Sequence, residues 1–422
     1  MQWFMYDLRH LPFGTRPRTL RMLACFAGLL FGIFALLSLP VEVGASSTNV
    51  FAGPTDLGTL GGTSSGAIAV SGSGQVVGES TTAGDTAIHA FSWTAGGGMV
   101  DLGTLGGTTS VAIAVSGSGQ VVGSSFITGD TAIHAFSWTA GGGMVDLGTL
   151  GGTFSGASAL NGKGQVVGES TTAGDTAGHA FSWTSGGGMV DLGTLGGTFS
   201  GASAVNASGQ VVGASAISGD AATHAFSWTS GGGMVDLGTL GGTSSILTIQ
   251  GSAFEGVGGG LNNRGQVVGE SSISGDTPWH AFSWTSGGGM VDLGTLGGTS
   301  SASFAVNGSG QVVGESRTSG DTASHAFSWT SAGGMVDLGT LGGTFSGAIA
   351  VNGRGQVVGG SSTTGDTASH AFSWTAGGGM VDLGALPGGQ ESSARAVNAR
   401  GQVVGESFTS TGTSHAVLWQ PA

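Results

Sequence analysis

The chain has 422 residues, with 24 acidic against 10 basic side chains and a formal charge of −14. That balance disfavours nucleic acid and anionic membrane as partners, because phosphate binding rests on clustered Lys and Arg. A single cysteine leaves no disulfide framework and no cysteine–zinc site, and the 89 glycines follow no three-residue period, so collagen is excluded as well.

The first segment reads as a leader. Arg9, Arg16, Arg18 and Arg21 precede an apolar run over residues 22–39, and Val43, Gly44 and Ala45 then supply the small side chains of a cleavage site. A signal peptide over residues 1–45 is expected, with a retained membrane anchor as the alternative. In both cases the body is secreted or extracytoplasmic, and membrane is met only through this segment. Cys25 lies inside the apolar run, the wrong place for lipid attachment. Without Asp7, Glu42 and the four arginines, the body keeps 22 acids against 6 bases, near −16.

A linker over residues 46–55 leads into repeats that fill residues 56–422. "DLG" begins at Asp56, Asp101, Asp146, Asp191, Asp236, Asp292, Asp337 and Asp382. The step is 45 residues except between Asp236 and Asp292, where 11 more are inserted near residues 246–256. A period of this size means stacked or radial units that bury their faces on one another. The first full unit predicts four short strands over residues 67–70, 75–80, 89–94 and 99–105, divided by Gly- and Ser-rich turns and without helical period. Four antiparallel strands per unit make one β-propeller blade.

The last unit ends at "HAVLW" without a fourth strand, while the first "DLGTL", residues 56–60, is a fourth strand without a blade. Their pairing predicts an all-β, eight-bladed propeller closed by its N-terminal strand, with no open edge. An open β-solenoid is the alternative. Small side chains are expected at a slot crowding the axis, filled by Ala69, Ala114, Ala159, Ala204, Gly260, Ala305, Ala350 and Ala396.

In "HAFSW" the side chains of His89, Phe91 and Trp93 share one strand face, which should pack on the neighbouring blade. A buried imidazole needs a hydrogen-bond partner, and Asp85, four residues upstream, is the expected one. His224 and Trp228 occupy the same places in a central blade. The arrangement is similar to the Asp, His and Trp network of WD-repeat blades.

Units reading "HAFSW…GGGMVDLGTLGG…A.AVN..GQVVGES" resemble the HAF-type extracellular repeat family over residues 56–419. The resemblance implies an exported repeat protein without an assigned role. Family units tend to carry an acidic turn before "GxVVG"; the turns here read "NGSGQ" and "NARGQ", which argues against a cation site there.

One histidine per blade cannot converge on zinc, and each "GDT" loop offers calcium a single carboxylate. No metal or cofactor is expected, with calcium held by backbone carbonyls as the alternative. "GTSSG", residues 62–66, matches a nucleophile elbow but joins strand to strand, where reactivity requires strand to helix. No catalytic residue is expected. "NAS" at Asn206 and "NGS" at Asn307 are glycosylation sequons in predicted surface turns.

By propeller geometry the "GGTSSG" and "TTAGDTAI" loops emerge on one face, and the second varies most between copies. The fifth blade combines the insertion with Trp279, where other copies carry Ile, Gly, Thr or Ser. An aromatic outside the strand pattern is a platform for sugar rings or apolar side chains, and Phe254, Glu255 and Asp276 would frame it. The expected function is a monomeric, non-catalytic binding or adhesive module for an extracellular protein or glycan. A structural, envelope-associated repeat protein is the second reading. A polysaccharide hydrolase or lyase comes third, because few polar residues break the repeat.

Overall fold

Short runs of Val, Ala, Phe and Trp bounded by Gly and Ser favour strands whose side chains alternate between two faces. The computed structural model describes residues 50–247, 260–274 and 276–422. The expected leader with Cys25, and the expected site residues Phe254 and Glu255, lie outside the described residues. Among the described residues no helix is long and apolar enough to cross a membrane.

The first blade sets the pattern. After β1 (Thr55–Asp56) come β2 (Gly61–Val70), β3 (Val76–Thr82), β4 (Ile88–Thr94) and β5 (Gly98–Asp101). β2 to β5 form an antiparallel meander with β2 innermost. β2 is longer than its sequence signal, because the "GGTSSG" segment is strand and not loop. It bulges between Ala67 and Ala69. Gly78 lies opposite the bulge, where a Cβ would collide with Gly66 O, so the glycine of "VVG" is a steric requirement.

Each third strand faces two neighbours. Phe91 packs with Leu57, Val70 and Val76, and with Ala396, Val404, Ala416 and Leu418 of the last blade. Ala90 points the other way, onto Ala112, Val115, Val121 and Phe136 of the second blade. The core is thus a series of layers between blades, and the phenylalanine of "HAF" is fully buried in each copy that has it. The alanines expected at the crowded slot are buried too.

β1 pairs antiparallel with the strand Ser414–Trp419, Thr55 opposite Leu418 and Asp56 opposite Val417, and so supplies the fourth strand of the last blade. The last and first blades meet again where Asn398 Nδ2 donates to Ser71 O at 3.0 Å and Ala416 N to Ser65 Oγ at 2.8 Å. The same bonds join consecutive blades elsewhere, as from Asn352 Nδ2 to Asn398 O at 3.0 Å and from Ala371 N to Ser392 Oγ at 2.9 Å. The molecule is an all-β propeller of four-stranded blades; these contacts leave no place for the open solenoid.

Two local expectations change. Asn206 and Asn307 are buried: each Oδ1 accepts backbone N–H groups of its own turn, and each Nδ2 donates to the next blade. The turns themselves lie at the surface, with Ala207, Ser208 and Ser309 exposed, but the amide that would carry a glycan is consumed inside the fold. The fifth-blade insertion also moves. Ser245–Ile246 pairs with Ser271 and Glu270 as one half of the innermost strand, and Leu261 bridges Val267 as the other. The described flanks on either side, Leu247 and Gly260, thus adjoin innermost-strand pairing, where the expectation was a loop before that strand.

Candidate functional site

Three sets of polar residues could carry chemistry, and the first is the repeated histidine. His89 Nδ1 meets both carboxylate oxygens of Asp101, at 2.8 and 3.0 Å. In the ladder Asp101 stands opposite Phe91, so it lies diagonal to His89 across β4 and β5. Asp101 Oδ1 also accepts Gly103 N at 2.7 Å, which shapes the "DLG" turn. The pair recurs in every blade, ending with His415 and Asp56 at 2.9 Å, and His224 pairs Asp236 at 2.8 Å. The histidine is half-buried and the aspartate exposed. This corrects the expected partnership of His89 with Asp85, and it makes the motif a staple between the two outer strands.

Asp85 belongs to a second set. Its Oδ1 accepts Thr63 N at 2.7 Å and Thr63 Oγ1 at 3.1 Å. Those bonds, the backbone one first and one from the Thr81 hydroxyl next, hold its carboxyl below the usual range. Asp175 is held the same way by Thr171 Oγ1 at 2.6 Å and by Thr153 N at 2.7 Å and Oγ1 at 3.1 Å. These aspartates sit at positive φ, 52° at Asp85 and 53° at Asp175, a conformation Asp tolerates through local hydrogen bonds. Each "GDT" carboxylate therefore clamps its hairpin onto the start of the innermost strand.

The same clamp occupies one residue of the site expected on the fifth blade. Asp276 Oδ1 accepts Thr243 N at 3.0 Å, the clamp of its own blade. Trp279 is half-buried on the strand Trp279–Thr285, opposite Ser272. The inserted residues that would frame Trp279 lie outside the described residues. What this face does present is apolar: Ile88, Phe199, Phe345 and Phe408 are exposed at 37%, 36%, 43% and 38%. Ile88 opens β4 and Phe408 closes the strand Val403–Phe408, while Phe199 and Phe345 stand inside the innermost strands Gly196–Val205 and Gly342–Val351.

The third set lines the axis. A cavity of about 470 Å³ lies among the last blade and the first three. Ile68, Ile113, Phe154 and Ala157 form apolar walls; Glu79, Ser124, Ser158 and Glu169 supply the polar ones. Arg395 and Glu406 also line it, paired at 3.0 Å, and Glu406 Oε2 accepts Ser414 Oγ at 3.1 Å. Glu169 makes no hydrogen bond or ion pair among the described residues, and burial pushes its carboxyl above the usual 4.5. Burial does the same at Glu315, with Arg317 opposing and Glu270 adding to it. Among the described residues, no group of three or more His, Cys, Asp or Glu side chains converges to hold a metal.

Sequence reasoning missed this set, although a signal existed. The residue after "VVG" reads Glu79, Ser124, Glu169, Ala214, Glu270, Glu315, Gly360 and Glu406 through the eight copies, while the "VVG" before it and the Ser after it stay the same. Of the residues in this slot, Glu79, Ser124, Glu169 and Glu406 line the cavity.

No family model matches the chain, and no curated protein matches it by sequence. Among solved structures it is similar to dipeptidyl peptidase 4 of Porphyromonas gingivalis, with 9% identity and a TM-score of 0.51, over 86% of this chain and 58% of that one. It is also similar to TolB of Acinetobacter baumannii, with 10% identity and a TM-score of 0.33 over 74% and 79% of the two chains. A third likeness is to the tricorn protease, with 11% identity and a TM-score of 0.27 over 79% and 42%. The chain spans less than two thirds of the peptidase's length, and at such identity the likeness concerns the fold alone. It still corrects one expectation. An architecture shared with a peptidase gives no ground for holding that the chain is no enzyme.

Proposed function

We propose that this propeller is an exported binding module that engages an extracellular protein or glycan through its "GDT" face. The observation that supports the reading is the exposure of the large apolar side chains Ile88, Phe199, Phe345 and Phe408. Large apolar side chains left in water on a clamped backbone bring contact area with little ordering cost, the combination that interfaces use. Export rests on the leader and on the resemblance to HAF-type repeats. The acidic body favours a partner that is neutral or cationic.

The test presents the purified protein to a glycan array and to envelope fractions of the producing cell. It runs beside the variant Phe199→Ser, Phe345→Ser, Phe408→Thr, which installs residues found at the same slots in other blades. Retention by the parent and its loss in the variant, at equal melting temperature, is the expected result. Equal retention by both removes the "GDT" face from the reading, and retention by neither returns the protein to a structural envelope role.

A further inference from the structure

The axial cavity is a built chamber with an electrostatic demand left unmet. Its walls come from four blades, three of which bring a Glu to it after "VVG" and the second a Ser. Glu406 is satisfied by Arg395 and Ser414. Glu169 has no such partner among the described residues, and it is half-buried, which raises its carboxyl. A desolvated carboxylate is stabilised most by a cation brought to it, which also restores the charged form. The neighbouring walls are not those of an ion site: Ile68, Ile113 and Phe154 are apolar, and Phe154 adds an aromatic ring.

We propose that this cavity binds a small organic cation, a protonated amine carried on an apolar body. Glu169 and Glu79 receive the ammonium, Ile68 and Ile113 cover the hydrocarbon, and the ring of Phe154 faces the charge. The volume of about 470 Å³ holds a molecule of amino-acid to diamine size. Phe154 also places the entrance beside a clamp, since its N–H is held by Thr171 Oγ1, which itself donates to Asp175. Phe154 holds the repeat position of Phe199 and Phe345, so the cavity borders the "GDT" face, but neither those two nor Phe408 lines it, and the two readings are tested through different residues.

Isothermal titration of the purified protein with benzylamine and with 1,4-diaminobutane tests the proposal, with benzyl alcohol and calcium chloride as probes lacking one element each. The amines are expected to bind and the other two probes not. Glu169→Ser, which installs the residue of the second blade, should weaken amine binding about tenfold or more. Phe154→Ser, as in the first and sixth blades, should weaken benzylamine more than the diamine. Glu315→Gln, outside the cavity, should change neither. The proposal falls if neither amine binds at about 10 mM, if benzyl alcohol binds as well as benzylamine, if calcium competes with the amines, or if binding survives Glu169→Ser and Glu79→Ser together.

Discussion

Glu169 and Asp175 lie six residues apart and respond to acid in opposite senses. The carboxyl of Glu169 is raised by burial, so the folded state holds its proton more tightly than the unfolded chain does. Its stabilising contribution is complete below the ordinary 4.5 and is lost as pH rises through the folded value. Glu169→Gln is therefore expected to raise the melting temperature at neutral pH and to leave it nearly unchanged in acid; equal shifts at both would mean that the carboxylate is not desolvated. The carboxyl of Asp175 is lowered, first by Thr171 and then by Thr153. Its contribution is present above 3.8 and lost as pH falls through the folded value. Asp175→Asn should lower the melting temperature at neutral pH, and parent and variant should converge in acid. A gap that persists below the folded value would assign the effect to lost geometry and not to charge.

Along the third strand the costs of mutation separate by burial. Phe226 is fully buried between blades, and Phe226→Ala should cost about 3–5 kcal/mol by cavity formation. Trp228 only packs against that layer from its edge, so Trp228→Ala should cost less. His224→Ala should cost about 1 kcal/mol, because its partner Asp236 stands 42% exposed and such pairs are weak. Chemical denaturation of the three variants gives the order, and a histidine costing as much as the phenylalanine would overturn it. The strands were legible because Gly and Ser punctuate them and because large and small side chains alternate along "HAFSW". The partner of His89 was not. Asp85 is nearer in sequence, but only the register of β4 against β5, set by the turn at residues 95–97, brings Asp101 diagonal to the ring. The axial glutamates were legible only by comparing copies, since a lone Glu after "VVG" looks like any solvent-facing strand position.

For the molecule as a whole, β1 is the one strand that reaches its blade from the far end of the chain. A chain starting at Gly61 leaves the strand Ser414–Trp419 as an edge and His415 without Asp56. Its melting temperature should fall and dimers should form through the bare edge; a monomer of unchanged stability, by light scattering and calorimetry, would refute the role given to β1.

That strand also poses a problem of address. "TDLGTL" at residues 55–60 differs from six internal copies, which read "VDLGTL", by its first residue alone. Nothing in its own side chains tells it which of eight third strands to join. The answer comes from timing: each internal copy follows its own third strand after a short turn, and such closures outrun one spanning more than three hundred residues. By the time β1 searches, one berth is vacant. In a crowded refolding mixture, however, every other molecule offers the same vacancy. Linked dimers and longer chains should therefore grow with protein concentration during refolding, while native protein concentrated after folding should stay as it was.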